Sequence, residues 1–253
     1  MTKPAVILVG ADKGGVGKTT VARTLLDYFG AHQTPMRAFD TEWPRGTLKR
    51  FYSDVTEVLD VTAVSDQMKI FDTFGSAEAQ LTVIDVRAGL LLSTLQSLND
   101  IGVVELGKTG QITFAVFHIL GPSIASLEEI TETSRYVSDA SHFLVKNHIN
   151  ETPFFEWDPA TYKSYFKTIK DAYEINIPKL NEMACEQVEV AGVPYASFIA
   201  NKNAKDEVAN YSFVLRGYVR HWLGNVWGEY DRVKLIDLVA PKKESAVRQQ
   251  AAG

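Results

Sequence analysis

The chain has 253 residues, enough for one large α/β domain or two small ones. Its net charge of -5 argues against a protein that coats nucleic acid through global basicity, while leaving room for a local basic patch. A single cysteine, Cys185, excludes an internal disulfide and fits a reducing compartment. The apolar run after Pro4 is too short for a signal-peptide core, and no stretch could span a membrane, so the expectation is a cytoplasmic protein with no integral membrane segment.

The first predicted strand covers residues 5–9 and leads into Lys13-Gly14-Gly15-Val16-Gly17-Lys18-Thr19-Thr20. Ala22, Leu25, Leu26 and Phe29 then share one face of a helix, with Gly30 placed as its C-cap. Further strands are expected at residues 37–40, 81–86, 112–119, 143–147 and 173–177. Several are apolar almost throughout, as parallel strands covered on both faces must be. Pro122-Ser123 reads as a helix start ahead of Ile124, Leu127 and Ile130. Val208, Tyr211, Leu215, Tyr218 and Trp222 form an apolar stripe expected on a core-facing helix. The alternation predicts an α/β fold with a mostly parallel twisted sheet and helices on both faces. With no repeat and no linker, residues 1–240 are expected to form one domain. The polar tail 241–253 is expected to be disordered.

The glycine-rich segment sits where phosphate chemistry needs it, between a strand and a helix. Its glycines let backbone N–H groups close around phosphate oxygens, and the helix N-terminus adds a favourable dipole. Lys18 would reach the β/γ-phosphates, Thr19 would ligate Mg²⁺, and Thr20 would bond the α-phosphate. The common pattern G-x-x-x-x-G-K-[ST] is not met, because Asp12 stands where its first glycine belongs. The second lysine, Lys13, needs its own explanation. The string Lys13–Thr20 resembles the deviant Walker A motif of the ParA/MinD superfamily of P-loop ATPases. That resemblance implies that Lys13 crosses a dimer interface to the phosphates held by a second copy, so that ATP drives homodimerisation.

The resemblance continues along the chain to about residue 180. Asp40 matches the aspartate that acts through the Mg²⁺ water shell or the attacking water. Glu42 stands where the family commonly has a second aspartate, followed here by Trp43-Pro44-Arg45. Residues 81–85 have the Walker B form, which assigns Asp85 to Mg²⁺ through water. Arg87 departs from the small residues common in the following loop; it is either a surface arginine or a contact to phosphate or a partner. Asn147 resembles the asparagine that bonds the adenine edge, with Asn201 after the apolar residues 197–200 as its rival. Pro178 resembles the turn flanking the base. No N-K-x-D guanine motif exists, since Ala204 follows Asn203, so ATP is favoured over GTP.

Three outputs are consistent with such a cycle. A ParA-like partition or positioning ATPase would bind DNA nonspecifically, with Arg216, Arg220, Lys202 and Lys205 as candidate contacts, and would answer to an activating partner protein. A MinD-like membrane-associated ATPase would need an amphipathic C-terminal helix, and residues 233–239 lack a good basic face. A small-molecule enzyme on the same fold is the third; an iron–sulfur reductase is disfavoured by the lone cysteine. The histidines, His118 among them, suggest no metal site; His118 is expected to be a satisfied core residue.

Overall fold

Alternate residues of the first strand feed two different cores, which is why it is apolar at every position. In the computed structural model, which describes residues 3–75, 79–150, 152–156, 158–167, 169 and 172–239, strand β1 spans Ala5–Gly10. Ala5, Ile7 and Val9 enter one core, and Val6 and Leu8 the other. The remaining strands are β2 (Met36–Asp40), β3 (Thr56–Val58), β4 (Leu81–Asp85), β5 (Thr113–Ile119), β6 (Ser141–Asn147) and β7 (Ala172–Ile177). They form one sheet in the order β3-β2-β4-β1-β5-β6-β7, and every pairing is parallel.

The helices are α1 (Lys18–Ala31), α2 (Val64–Gly75), α3 (Leu91–Asp100), α4 (Val103–Lys108), α5 (Ile124–Tyr136), α6 (Pro159–Phe166), α7 (Glu182–Ala191), α8 (Tyr195–Ile199), α9 (Phe213–Arg232) and α10 (Leu235–Val239). Their starts follow from local chemistry. Asp158 accepts from Thr161 N–H ahead of Pro159, Asn181 accepts from Ala184 N–H, and Ser212 caps α9 through Leu215 N–H. Helices α1 and α9 cover one face together. Thr24 Oγ1 lies 2.7 Å from Tyr230 Oη, and Tyr28 Oη–H donates to Asp231 at 2.7 Å.

Four expectations change. Helix α1 runs through Gly30 to Ala31, and His32 rather than Gly30 caps it, its N–H reaching the carbonyls of Tyr28 and Gly30. Strand β3 has no long apolar run; its three residues are ordered by pairing with β2, a tertiary effect. The apolar residues that made Asn201 a rival to Asn147 belong to a helix, residues 195–199, rather than to a strand of the sheet. The stripe proposed for the last long helix is displaced: Val208 is 86% exposed and precedes α9, and Tyr218 is half exposed. The buried face is Val219, Trp222, Leu223, Val226 and Tyr230. Only Trp222 belongs to both sets, because the true phase starts after the Ser212 cap. Segment 241–253 lies outside the described residues.

Candidate functional site

Parallel strands gather their carboxyl ends at one edge of the sheet, and this edge collects most of the predicted residues. Register pairs Asp40 with Asp85 on adjacent strands, and Val9 with Asp85. Gly10 leads into the glycine-rich loop, Asn147 ends β6, and Pro178 follows β7. Two adjoining cavities open here. One, of about 540 Å³, is lined by Gly14, Gly17, Lys18, Asp40, Glu42 and Asp85 among others. The second, of about 510 Å³, is lined by Asn147, Pro178, Leu180, Glu189, Tyr195 and Trp222 among others. Thr20 and Ile149 belong to both walls. Each volume lies in the range usual for small-molecule sites.

In the first cavity the loop takes left-handed conformations at Gly15 (φ 76°) and Gly17 (φ 90°). Gly17 has a second constraint: Asn147 Nδ2 occupies the place a Cβ would need. That nitrogen donates to Val16 O at 3.0 Å, so the end of β6 braces the loop. Thr19 Oγ1–H donates to Asp85 Oδ2 at 2.7 Å, while Asp85 Oδ1 is buried with no hydrogen-bond partner. Burial, with the Asp40 charge adding to it against the pull of Thr19 and Lys18, pushes the Asp85 carboxyl up to about 7. An orphaned carboxylate oxygen beside a hydroxyl is a donor set suited to a hard, oxygen-seeking divalent cation. The residues present therefore fit Mg²⁺ at Asp85 and Thr19.

Asp40 is 1% exposed and organises the next loop. Its Oδ1 accepts from Glu42 N–H at 2.9 Å, and its Oδ2 accepts from Leu48 N–H at 2.6 Å. Burial raises its pKa, opposed by these N–H groups. The Glu42 carboxylate is exposed and accepts a hydrogen bond from Thr47 Oγ1–H. Arg87 is exposed on the cavity wall, and its backbone N–H donates to Thr41 Oγ1 at 2.8 Å, tying the loop after β4 to the one after β2. Lys13 behaves differently from Lys18. It does not line the cavity; its Nζ donates to Ser123 Oγ at 3.2 Å, just ahead of α5.

In the second cavity Trp222 Nε1–H donates to Pro178 O at 2.7 Å. Asn201 is elsewhere, bonding Ala209 O and Tyr211 N–H within the segment before α9. Glu189 and Tyr195 carry no signal in the sequence, and Trp222, expected on a core-facing helix, lines this cavity as well. They come from helices far along the chain, and only the chain's return past β7 brings them to Asn147.

The proposed DNA contacts are partly engaged within the chain. Lys202 pairs with Asp206 at 2.7 Å, and Arg216 donates to Ile199 O at 3.3 Å. Arg220 and Lys205 remain exposed. At the other candidate surface, Val233, Leu235 and Val239 are buried in the core, so residues 233–239 offer no free apolar face to a membrane. Among the described residues no helix is long and apolar enough to cross one. His118 is buried with Nε2 3.1 Å from His142 Nδ1, and no cluster of potential metal ligands of the His, Cys, Asp and Glu types occurs among the described residues.

No protein-family model matches the chain, and no curated protein does. Among solved structures it is similar to a protein described as a plasmid partition protein from Borrelia burgdorferi bound to AMPPNP. The TM-score is 0.52 at 13% identity, over 91% of this chain and 99% of that one. A MinC:MinD cell division protein complex from Aquifex aeolicus (TM-score 0.49, 11% identity, 87% and 96% covered) and an ADP-bound nucleotide-binding protein from Archaeoglobus fulgidus (0.49, 15%, 73% and 85%) also match. The chain shares the parallel α/β fold of the plasmid partition protein.

Proposed function

We propose that this chain is a Mg-ATP-dependent ATPase switch of the ParA type, formed by one domain over residues 1–240, whose ATP-bound homodimer acts in DNA or plasmid partitioning or in intracellular positioning. The observation that carries this reading is the contrast between the two lysines. Lys18 lines the cavity beside Asp85, whereas Lys13 is held outside it at Ser123. Around that edge Trp43 (54% exposed), Ile124 and Ile149 present apolar side chains to solvent, which suits burial against a second copy.

In this reading the triphosphate lies over the loop amides and Lys18, and the base enters the second cavity between Asn147 and Pro178. Mg²⁺ held through Asp85 and Thr19 would neutralise charge on the phosphates. Lys18 and the loop N–H groups stabilise the charge that moves in phosphoryl transfer. Asp40, fixed by backbone N–H groups, orders the loop carrying Glu42 and helps position water. Catalysis is positioning and electrostatics. Lys13 of each copy would reach the phosphates of the other, linking nucleotide to assembly. Cytoplasmic localisation and an activating partner protein belong to this same reading. DNA contact would fall to Arg220 and Lys205, and a shallow salt dependence is expected from so few cations.

The test is sedimentation with ATP together with phosphate release. Lys13→Ala should still bind ATP but should lose ATP-dependent dimerisation and at least about tenfold in turnover. A variant that dimerises and turns over like the parent rejects the cross-subunit role.

A further inference from the structure

The second cavity is lined by Glu189, whose side chain is 46% exposed and engaged at one of its two oxygens. Arg23 lies on α1, one turn past Thr19, and is 2% exposed. Its guanidinium carbon lies 3.5 Å from the Phe51 ring centroid and 4.2 Å from that of Tyr195. Its Nη1 donates to Glu189 Oε1 at 2.6 Å. Arginine stays protonated and has no acceptor, so this contact can only face a carboxylate or carbonyl oxygen. Arg50 adds a grip on the backbone, donating from Nη2 to Glu189 O at 2.5 Å. Glu189 is thereby held in place, and it lines the same cavity as Asn147 and Pro178. Its Oε2 has no partner among the described residues.

Resting on the reading of the two cavities as one nucleotide site, we propose that Glu189 determines base specificity by accepting a hydrogen bond at Oε2 from the exocyclic amine of adenine. The geometry selects among bases. A carboxylate with both oxygens free pairs with guanine through two adjacent N–H donors. Here Arg23 holds Oε1 in a charged hydrogen bond, which leaves Oε2 as the acceptor without a partner, and a single amino group would satisfy it. A base with a carbonyl at the same position would set oxygen against oxygen.

Arg23 also dictates what a substitution does. In Glu189→Gln the guanidinium must still face an oxygen, so the amide oxygen takes that side and its NH₂ turns to the cavity. The acceptor becomes a donor, and the preference should pass from a 6-amino to a 6-oxo purine. Glu189→Ala should remove the preference without reversing it. The experiment is calorimetric titration of the full chain with ATP, ITP and purine riboside triphosphate, which lacks the 6-amino group. Wild type should bind ATP about tenfold or more tightly than the other two, the scale of one hydrogen bond to a charged acceptor. Glu189→Ala should bring the ATP to purine riboside ratio to within about twofold, and Glu189→Gln should favour ITP over ATP. Ratios within one variant are insensitive to any loss of folded protein. Wild type binding all three equally, or ratios untouched by both substitutions, overturns the role of Glu189 and leaves the nucleotide site standing. Wild type binding none of the three overturns the site and this inference together.

Discussion

The two adjoining cavities are built on opposite electrostatic plans. In the loop cavity, charge is left uncompensated: Asp85 is 4% exposed, one of its oxygens is orphaned, and its carboxyl is pushed to about 7. In the second cavity the lining groups are paired, Trp222 with Pro178, Asn147 with Val16, and Glu189 with Arg23, whose Nε and Nη2 are buried without partners and whose guanidinium stacks on Phe51 and Tyr195 instead. The first therefore keeps a buried acceptor without a partner, suited to a cation, and the second is braced by hydrogen bonds among its walls. Buried unpaired charge costs stability, whereas paired groups brace the structure, so substitutions should act in opposite directions on the two sides.

The largest effect is expected at Lys18. On the proposed function, Lys18→Ala removes the cation that would face the transferred phosphoryl group, and phosphate release should fall by at least about a hundredfold, with ATP affinity greatly weakened. Turnover within tenfold of the parent would mean that the loop cavity is not where chemistry occurs. Asp85→Asn should come next and sharpen the comparison. It should abolish the Mg²⁺ dependence of nucleotide binding while raising the stability of ligand-free protein by about 2–4 kcal/mol, because a buried charge disappears. Denaturant midpoints without and with Mg-ATP measure both halves; a destabilised variant would show that Asp85 is already compensated.

The loop cavity was also the half that sequence could describe. Lys13 to Thr20 are contiguous, and Asp40 and Asp85 end apolar runs, so local pattern placed them at the edge of the sheet. In the second cavity only Asn147 and Pro178 were legible, through the resemblance, and Glu189, Tyr195 and Trp222 join them by no spacing rule. Arg23 was hidden for a different reason: it sits in the loop's own helix but is buried, and an isolated arginine on a helix ordinarily faces solvent. Strand β3 was missed because pairing with β2, not its own composition, makes it a strand. The last long helix was recognised, but the phase of its buried face depended on the Ser212 cap.

The pH dependence tests the loop cavity more finely. Between 3.8, the ordinary aspartate value, and about 7, folded Asp85 keeps a proton that the unfolded chain has released. Stability of ligand-free protein should therefore fall as pH rises through that window, by up to ~1.4 kcal/mol per pH unit. Burial, with His142 beside it, depresses His118 well below 6.5, so below that value the unfolded chain takes a proton the folded one refuses. This contribution is lost as pH falls below 6.5 and opposes the first. Denaturation of wild type and Asp85→Asn from about pH 4.5 to 8 separates them. The variant should lose less stability than the parent as pH rises toward about 7, the remaining fall coming from Asp27, pushed by burial up to about 6, Glu129, pushed up to about 7, and Asp40, also raised by burial. Parallel curves for the two proteins would remove Asp85 as the source.

The smallest effect is expected in the second cavity, at Trp222. Trp222→Phe keeps the aromatic wall beside Tyr195, whose ring lies 5.0 Å away, but leaves Pro178 O without its donor. The loss should be about 1–2 kcal/mol of stability, one buried hydrogen bond. The turn at Pro178 would then be less firmly set against the base, so KM for ATP should rise a few-fold. Turnover at saturation should stay within about twofold, because the phosphate side is untouched and a uniform binding interaction is all that is removed. A fall in kcat with KM unchanged would mean that the second cavity transmits to the chemistry rather than only holding the base, and the division between the two cavities would fail.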